Sequence, residues 1–283
     1  MKKILITGSK GFVGQELINS LNKINYDLIL TGSSQDTDLC DWNIVKKLPK
    51  SNVIIHLAAK NYIPDSFDNP HKFFKNNILS TLNILEKARI DDSKVIFLST
   101  YVYGTPDFLP VNEEHKINPL NPYTQSKVLC EDLCASYFRD FKIPITILRP
   151  FNIYGKNQKD HFVIPKIISQ INKKEIQLLS SETKRDFIYI SDVVDVIIKV
   201  IQLNKDGLNI YNIGSGNSIS IKKLSEKILK ISNSKAKLVV LNKLRKGEIP
   251  NTISDNSKIK KELNWEPKIS IDTGINLIIN QWK

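Results

Sequence analysis

The 283-residue sequence predicts an α/β fold, in which a doubly wound parallel sheet is joined to a smaller, discontinuous α+β lobe. The apolar run Val53–Ala59 is continuous over the length of a strand, which is typical of parallel strands covered on both faces, and Lys94–Thr100 is the next predicted strand. A segment of helical period, Phe73–Arg89, separates these runs, as the βαβ order requires. We expect the sheet domain to contain residues 1–149 plus about 186–213, and the lobe to contain residues 150–185 plus about 214–283.

The first predicted element is the strand Lys2–Thr7, which leads into a glycine-rich turn and then into a helical pattern that ends near Ile24. The turn, TGSKGFVG, carries its glycines at positions 8, 11 and 14. A strand, a glycine turn and a helix in this order indicate a Rossmann-type dinucleotide site, because glycines let the backbone approach a pyrophosphate at the helix N-terminus. The glycines are spaced by three rather than as GxGxxG, so a glycine-rich turn without a ligand is the alternative.

The second strand, Asp27–Thr31, is followed by Gly32, Ser33 and Ser34. A carboxylate that would hold the ribose hydroxyls of NAD is missing at this place. Lys10, next to Gly11 in the turn, could instead reach a ribose phosphate. These residues favour NADP(H) as the cofactor, and NAD(H) is the alternative.

The remaining elements follow from apolar periodicity. Asp38–Trp42 comes almost directly after the second strand and leaves no room for a long crossover helix before Ile44–Leu48. The fourth strand, Lys94–Thr100, places Ser99 at its carboxyl end, where doubly wound sheets bind ligands. Further strands are predicted at Ile143–Arg149, Asp186–Ile190, Leu208–Ile213 and Ala236–Leu241, and further helices at Ile164–Asn172, from Ser191, at Ser220–Ile231 and, as a pair, in the tail from Ser254.

The stretch NPYTQSK, residues 121–127, opens a helical pattern that runs to about Phe141. On a helix, Tyr123 and Lys127 stand four residues apart and share one face. A phenol has an ordinary pKa near ~10, and an ammonium beside it favours the phenolate. Such a pair can exchange a proton with a carbinol or carbonyl oxygen. The alternative is an amphipathic helix with an exposed tyrosine and a solvated lysine.

Composition excludes several other classes. The net charge of +12 comes from dispersed lysines without interleaved aromatics, so we expect no nucleic-acid partner. The apolar runs are too short for a bilayer and the N-terminus lacks a signal-peptide core, so we expect no membrane partner and a cytoplasmic location. Three cysteines and four scattered histidines indicate reduced thiols and no metal site.

Beyond these separate features, the sequence resembles the extended short-chain dehydrogenase/reductase family of nucleotide-sugar epimerases, dehydratases and ketoreductases. The matching segments occur in the family's order and span nearly the whole chain. They are TGSKGFVG, HLAA, NNILSTLNILEKA, STYVYG, YTQSK, LRPFNIYG, KRDFIYISDV, YNIGSG and RKGEIPN.

The resemblance implies roles for individual residues. Ser99, Tyr123 and Lys127 take the positions of the catalytic hydroxyl, the proton-transferring tyrosine and the lysine that holds the nicotinamide ribose. The implied cofactor-binding set is Gly8, Lys10, Gly11, Phe12, Val13, Gly14, Ser33, Leu57, Ala58, Ala59, Asn77, Tyr123 and Lys127. The implied substrate-binding set is Ser99, Thr100, Tyr123, Asn152, Phe162, Arg185 and Arg245, with the two arginines on the diphosphate.

The resemblance favours NAD(P)-dependent reduction of a 4-keto nucleoside-diphosphate sugar, with a homodimer as the family's usual assembly. A 4-epimerase that keeps NAD bound and uses the same groups twice is the alternative. A non-catalytic NAD(P)-binding sensor is disfavoured because Ser99, Tyr123 and Lys127 are all present. A 4,6-dehydratase or a decarboxylase is disfavoured because Thr100 and Tyr101 stand where those enzymes carry acidic residues.

Overall fold

A computed structural model describes residues 2–32, 37–203, 205–241, 243 and 247–282. The described strands are β1 (Lys3–Thr7), β2 (Asp27–Thr31), β3 (Val53–His56), β4 (Lys94–Leu98), β5 (Ile145–Pro150), β6 (Asn152–Tyr154), β7 (Glu175–Leu178), β8 (Lys184–Tyr189), β9 (Leu208–Ile213), β10 (Ser218–Ser220) and β11 (Lys237–Val240). The described helices are α1 (Phe12–Leu21), α2 (Trp42–Val45), α3 (Ile63–Asp68), α4 (Pro70–Asp91), α5 (Pro122–Phe141), α6 (Val163–Ile168), α7 (Ile190–Leu203), α8 (Ile221–Ser232), α9 (Ser257–Leu263) and α10 (Ile271–Trp282).

The chain divides into two compact units. Unit 1 contains Met1–Gly104, Lys116–Pro150 and Val194–Tyr211, and unit 2 contains Thr105–His115, Phe151–Val193 and Asn212–Lys283. Unit 2 thus includes residues 105–115 of the loop before α5 and strand β8, whereas the sequence interpretation put both in the sheet domain. Strand β8 pairs with β6 and β10 in a separate three-stranded sheet, and this pairing accounts for its place in unit 2.

The main sheet has the strand order β2–β1–β3–β4–β5–β9. The pairings of β1 with β2 and β3, of β3 with β4, and of β4 with β5 are parallel. The chain moves outward from β1 to β2 and then returns to the other side of β1 for β3. Ligands of doubly wound sheets bind at the carboxyl ends of the strands beside such a reversal. The predicted α/β doubly wound fold is therefore confirmed.

The core of unit 1 lies where α4 and α5 pack on the sheet. Leu5, Ile54 and Phe97 from the strands join Leu85 and Cys130 from the helices in one buried cluster. Every position of β3 is buried, which explains why the sequence of this strand is almost continuously apolar. The helices of this cluster carry the candidate site residues, so the core also fixes their direction.

Unit 2 contains the three-stranded sheet and a parallel pair of β7 and β11. Its buried anchor is the Asp186 carboxylate, which accepts hydrogen bonds from the backbone N–H groups of Ser215 at 2.7 Å, Gly216 at 3.0 Å and Ser254 at 3.0 Å. Trp265 is buried, as expected of a packing residue. No helix within the described ranges has both the length and the apolar character that crossing a membrane demands.

Candidate active site

The glycine turn between β1 and α1 follows the carboxyl end of β1. This is the point of the sheet where the chain changes direction from β2 on one side of β1 to β3 on the other. Gly8 has φ +68°, and a Cβ atom there would stand 2.9 Å from the backbone nitrogen of Ala58. A Cβ atom on Gly14 would stand 2.3 Å from the Gly8 carbonyl oxygen. The turn can close this tightly only because both positions are glycine.

The N-terminus of α1 opens from this turn. Gly11 is its N-cap and supplies no side-chain hydrogen bond, and the first turn carries no acidic residue. Phe12 and Val13 are half-buried in that first turn, and Lys10 is exposed beside it. The partial positive charge of the helix N-terminus is therefore available to an anion.

Strand β2 ends next to the same turn. Ser9 donates from both its backbone N–H and its hydroxyl to the Thr31 carbonyl oxygen. The Thr31 hydroxyl is buried and has no hydrogen-bond partner among the described residues. Ser33, the predicted contact for a ribose phosphate, lies outside the described residues.

The end of β3 contributes the segment Leu57–Ala59. Leu57 and Ala58 are half-buried and Ala59 is exposed. The Ala58 N–H donates to the Thr7 hydroxyl at 3.2 Å, which links the ends of β3 and β1. His56 is fully packed between Thr7 and Thr81, with ring-nitrogen distances of 2.7 and 3.1 Å, and burial lowers its pKa to about 3. This histidine is therefore a packing residue.

A capping box fixes the start of α5. The Asn121 side chain accepts from the Thr124 N–H at 2.9 Å, and the Thr124 side chain returns a bond to the Asn121 backbone. Pro122 occupies the first helical turn, where its missing N–H costs nothing. Tyr123 is therefore held in the first turn, where the helix dipole favours a developing negative charge.

The Tyr123 side chain is buried, with 9% exposure. Burial raises the pKa of its phenol to about 12, and a side-chain hydrogen bond with Thr100 acts in the opposite direction. The ring meets Phe73 of α4 edge-on, with 6.5 Å between centroids. The hydroxyl next to the phenol is thus that of Thr100.

Lys127 lies one turn further along α5 and is 3% exposed. Its ammonium stands 4.1 Å from the centroid of the Phe97 ring. Burial lowers its pKa, while the neighbouring Cys130, Glu131 and Cys134 raise it. An ammonium in this position has hydrogen-bond donors to offer to a ligand.

Ser99 follows β4 directly and is buried, but its hydroxyl is committed to another group. It donates to the Glu131 carboxylate at 2.5 Å. Arg149, in β5, holds the same carboxylate through Nε at 3.1 Å and Nη2 at 2.5 Å. The other end of the guanidinium donates to the Tyr103 hydroxyl at 2.8 Å.

Asn77 of α4 connects the helix to the segment after β3. Its side chain accepts from the Lys60 N–H at 2.8 Å and donates to the Lys60 carbonyl at 3.1 Å. It also donates to the Ser126 hydroxyl at 2.9 Å, and Ser126 donates to the Tyr123 carbonyl. Asn77 therefore braces the helix that carries Tyr123.

The predicted substrate residues of unit 2 have other partners. The Arg185 guanidinium pairs with the Glu248 carboxylate and donates to the carbonyls of Ile249 at 2.5 Å and Lys184 at 2.8 Å. Asn152 is half-buried and donates to the Asp186 carbonyl at 3.1 Å. Phe162 is the N-cap residue of α6. Arg245 lies outside the described residues.

In unit 1 the chain thus brings Thr100, Tyr123 and Lys127 to one buried region, braced by Asn77. Sequence reasoning missed Glu131 and Arg149 as partners of Ser99. One signal was available for Glu131, because Tyr123, Lys127 and Glu131 repeat at a spacing of four and extend one helix face.

Comparison with known proteins identifies the family. Residues 4–214 match the model of the NAD dependent epimerase/dehydratase family, so the chain belongs to that family. The GDP-6-deoxy-D-mannose reductase of Pseudomonas aeruginosa is 28% identical over 100% of this chain and 97% of its own length. Relatives named as dTDP-D-glucose 4,6-dehydratases also match.

Two solved structures show the same fold at full length. The structure of RMD from Pseudomonas aeruginosa, complexed with NADPH, has a TM-score of 0.91 at 27% identity and covers 100% of this chain and 99% of its own. The UDP-glucose 4-epimerase of Thermotoga maritima, with UDP-glucose, has a TM-score of 0.93 at 25% identity, with 99% and 98% coverage. The protein is therefore a member of a family of NAD(P)-dependent nucleotide-sugar enzymes.

The residues of unit 1 fit a nicotinamide dinucleotide. The uncapped N-terminus of α1 suits a pyrophosphate, and the buried Thr31 hydroxyl has no partner among the described residues. The buried ammonium of Lys127 suits a ribose hydroxyl. These three features lie at or beside the carboxyl edge of the sheet, where the fold class binds ligands.

Proposed function

We propose that this protein is an oxidoreductase that acts at C4 of a nucleoside-diphosphate sugar, most directly as an NADPH-dependent 4-ketoreductase. The observation that carries the proposal is the buried face of α5, where the Tyr123 phenol and the Lys127 ammonium stand one helical turn apart, with the Thr100 hydroxyl on the phenol.

In the reductive direction, Tyr123 donates its phenolic proton to the sugar oxygen while the carbon–hydrogen bond forms at C4. The bound nicotinamide supplies that hydride. Tyr123 becomes a phenolate, which the Lys127 ammonium and the Thr100 hydroxyl stabilise, and it regains its proton from solvent. Lys127 would also hold the nicotinamide ribose, and Asn77 keeps α5 in position.

The residues after β4 support reduction over dehydration. A dehydratase needs an acid and a base to eliminate water, and Thr100 and Tyr101 provide no carboxylate at this place. The Tyr101 hydroxyl donates to the Gly104 carbonyl at 2.7 Å. The nearby Glu131 is bound by Arg149 and Ser99 and is not available as a proton carrier.

The substrate class rests on the relatives and on the arginine chemistry. A guanidinium offers a fork of donors that matches a phosphate. Arg185 would bind the diphosphate after exchanging Glu248 for it, and Arg245 would be the second arginine. The names of the relatives given above refer to GDP-linked, UDP-linked and dTDP-linked sugars, so the base is not assigned.

The test uses purified protein with NADPH and a 4-keto-6-deoxy nucleotide sugar. We expect stoichiometric loss of the reduced-nicotinamide absorbance and formation of the 6-deoxy sugar. Redox-neutral conversion of UDP-glucose without added cofactor would instead establish a 4-epimerase, which the similarity to the Thermotoga maritima enzyme favours as the second candidate. Protein that binds NADPH and turns over neither substrate would be a sensor.

We also propose that the protein forms a homodimer through α4 and α5, as the family resemblance implies. Leu79 on α4 and Leu129 on α5 are both 37% exposed. Light scattering of the purified protein gives the mass that decides this.

A further inference from the structure

The reaction proposed above gives no role to the buried carboxylate of Glu131. Glu131 is 5% exposed and lies on α5, one turn beyond Lys127. It receives the Ser99 hydroxyl at 2.5 Å and the Arg149 guanidinium through both Nε and Nη2. Arg149 is itself 2% exposed, and its Nη1 is tied to Tyr103.

This arrangement fixes the direction of the Ser99 proton. An ionised carboxylate can only accept hydrogen bonds, so the Ser99 hydroxyl must donate to Glu131. Ser99 then has only acceptor capacity left for a ligand. The hydroxyl that can donate to the Tyr123 oxygen is the one on the next residue, Thr100.

The negative charge of the same carboxylate also acts on the Lys127 ammonium and raises its pKa. The Phe97 ring lies under the ammonium, and the titratable groups that interact with Lys127 are Cys130, Glu131 and Cys134 on α5 and His56 on β3. Burial keeps the two thiols protonated, because it raises their pKa, and it keeps His56 neutral. Among these groups, Glu131 is the one that carries negative charge toward the ammonium.

The geometry points to Glu131 as a positioning residue for the reaction proposed above: its carboxylate, clamped by Arg149, commits the Ser99 proton and holds Lys127 as an ammonium. The inference rests on the proposed function for the role of Lys127. It assigns Glu131 no contact with substrate. Removing the negative charge of Glu131 should therefore change the pH dependence of cofactor binding and of reduction.

The test measures NADPH affinity as a function of pH by fluorescence titration, which needs no sugar substrate. Lys127 loses its ammonium at alkaline pH, so affinity should fall there. Glu131→Gln removes the negative charge and leaves the positive charge of Arg149 uncompensated. We expect the alkaline fall in affinity to move to lower pH in this variant.

The pH dependence of kcat/KM for 4-keto reduction gives a second measurement, and it should shift in the same direction as the NADPH affinity. Reduction needs the Lys127 ammonium, and loss of the neighbouring negative charge of Glu131 lowers the pKa of that ammonium. The alkaline limb of kcat/KM should therefore move to lower pH in Glu131→Gln.

Two control variants separate charge from hydrogen bonding. Glu131→Asp keeps the charge, and Ser99→Ala removes the hydroxyl but leaves the carboxylate, so both should keep the wild-type midpoint in the binding titration. If Glu131→Gln does not fold, the charge-neutral pair Glu131→Gln with Arg149→Met leaves no buried ion unpaired and should show the same direction of shift.

The outcomes are distinct. A midpoint in Glu131→Gln, or in the charge-neutral pair, equal to that of the wild type would overturn the inference. So would a wild-type protein whose NADPH affinity has no alkaline fall. A shifted binding midpoint in protein that reduces no 4-keto sugar would retain the role of Glu131 and refute the proposed function.

Discussion

At the scale of single residues, the candidate site must make a buried phenol exchange its proton. Burial alone works against this, because it raises the pKa of Tyr123 to about 12. Two features oppose burial, namely the Thr100 hydroxyl and the N-terminus of α5. The position of the tyrosine in a capped first turn is therefore part of the chemistry.

Tyr123→Phe removes the proton donor and keeps the ring. We expect the rate of 4-keto reduction to fall by about 10²–10⁴-fold, the usual contribution of a positioned acid. NADPH affinity should stay at the wild-type value, because Phe fills the same volume beside Phe73. Tyr137→Phe, which removes a half-buried hydroxyl bound to Glu86, is the matched control and should keep full turnover. A Tyr123→Phe enzyme with near-normal turnover would refute the proton-transfer role.

Part of the arrangement of these residues could be predicted from the sequence. The spacing of Tyr123 and Lys127 on one helix face follows from helix geometry alone. The hydrogen bond from Ser99 to Glu131 could not be predicted in this way. It depends on Arg149, which lies in a strand 18 residues further along the chain and orients the Glu131 carboxylate. Which of two adjacent hydroxyls at a strand end faces a helix is set by tertiary packing.

At the scale of elements, the sequence predicts the bounds of a helix or strand well where a capping residue or a clear apolar periodicity marks them. Strands β2 and β9 have the predicted bounds, and α8 begins one residue after its predicted start, Ser220, which is its N-cap. Helix α4 is longer than its apolar period because Asn69 caps it and Pro70 starts it, and it ends at Asp92 in the left-handed conformation. Strand β3 is shorter than its apolar run because the chain leaves the sheet at Leu57 to approach Gly8.

The pairing of strands that are distant along the chain could not be predicted from the sequence. The β6–β8–β10 sheet joins strands from three separate stretches of chain, and nothing local to Lys184–Tyr189 distinguishes it from a strand of the main sheet. Register and partner choice depend on which distant edges are available.

The ion pair between Arg185 of β8 and Glu248 leads to a second prediction. Glu248 holds the Arg185 guanidinium, so a diphosphate must displace this carboxylate to bind there. A partly exposed ion pair contributes about 0.2–1 kcal/mol, so Glu248→Gln should tighten the binding of UDP or GDP by up to about five-fold. Calorimetric titration of the purified variant measures this change.

Glu182→Gln is the matched control for that variant, because Glu182 is exposed and its carboxylate accepts a hydrogen bond from the neighbouring Ser181 hydroxyl. Its affinity for UDP and GDP should equal that of the wild type. Weaker nucleotide binding in Glu248→Gln would mean that Glu248 organises the site instead of competing for it.

At the scale of the whole molecule, the choice of cofactor should be visible as a difference in stability. A ligand that binds the folded state at 100 times its Kd stabilises it by about 2.7 kcal/mol, which raises Tm by several degrees for a chain of this size. Because β2 ends without a carboxylate and Lys10 is exposed beside the N-terminus of α1, NADPH should raise Tm more than NADH at equal concentration. Lys10→Gln should remove that difference, and Lys23→Gln, an exposed lysine at the far end of α1, should preserve it. Equal stabilisation of the wild-type protein by both dinucleotides would assign the choice of cofactor to residues other than Lys10.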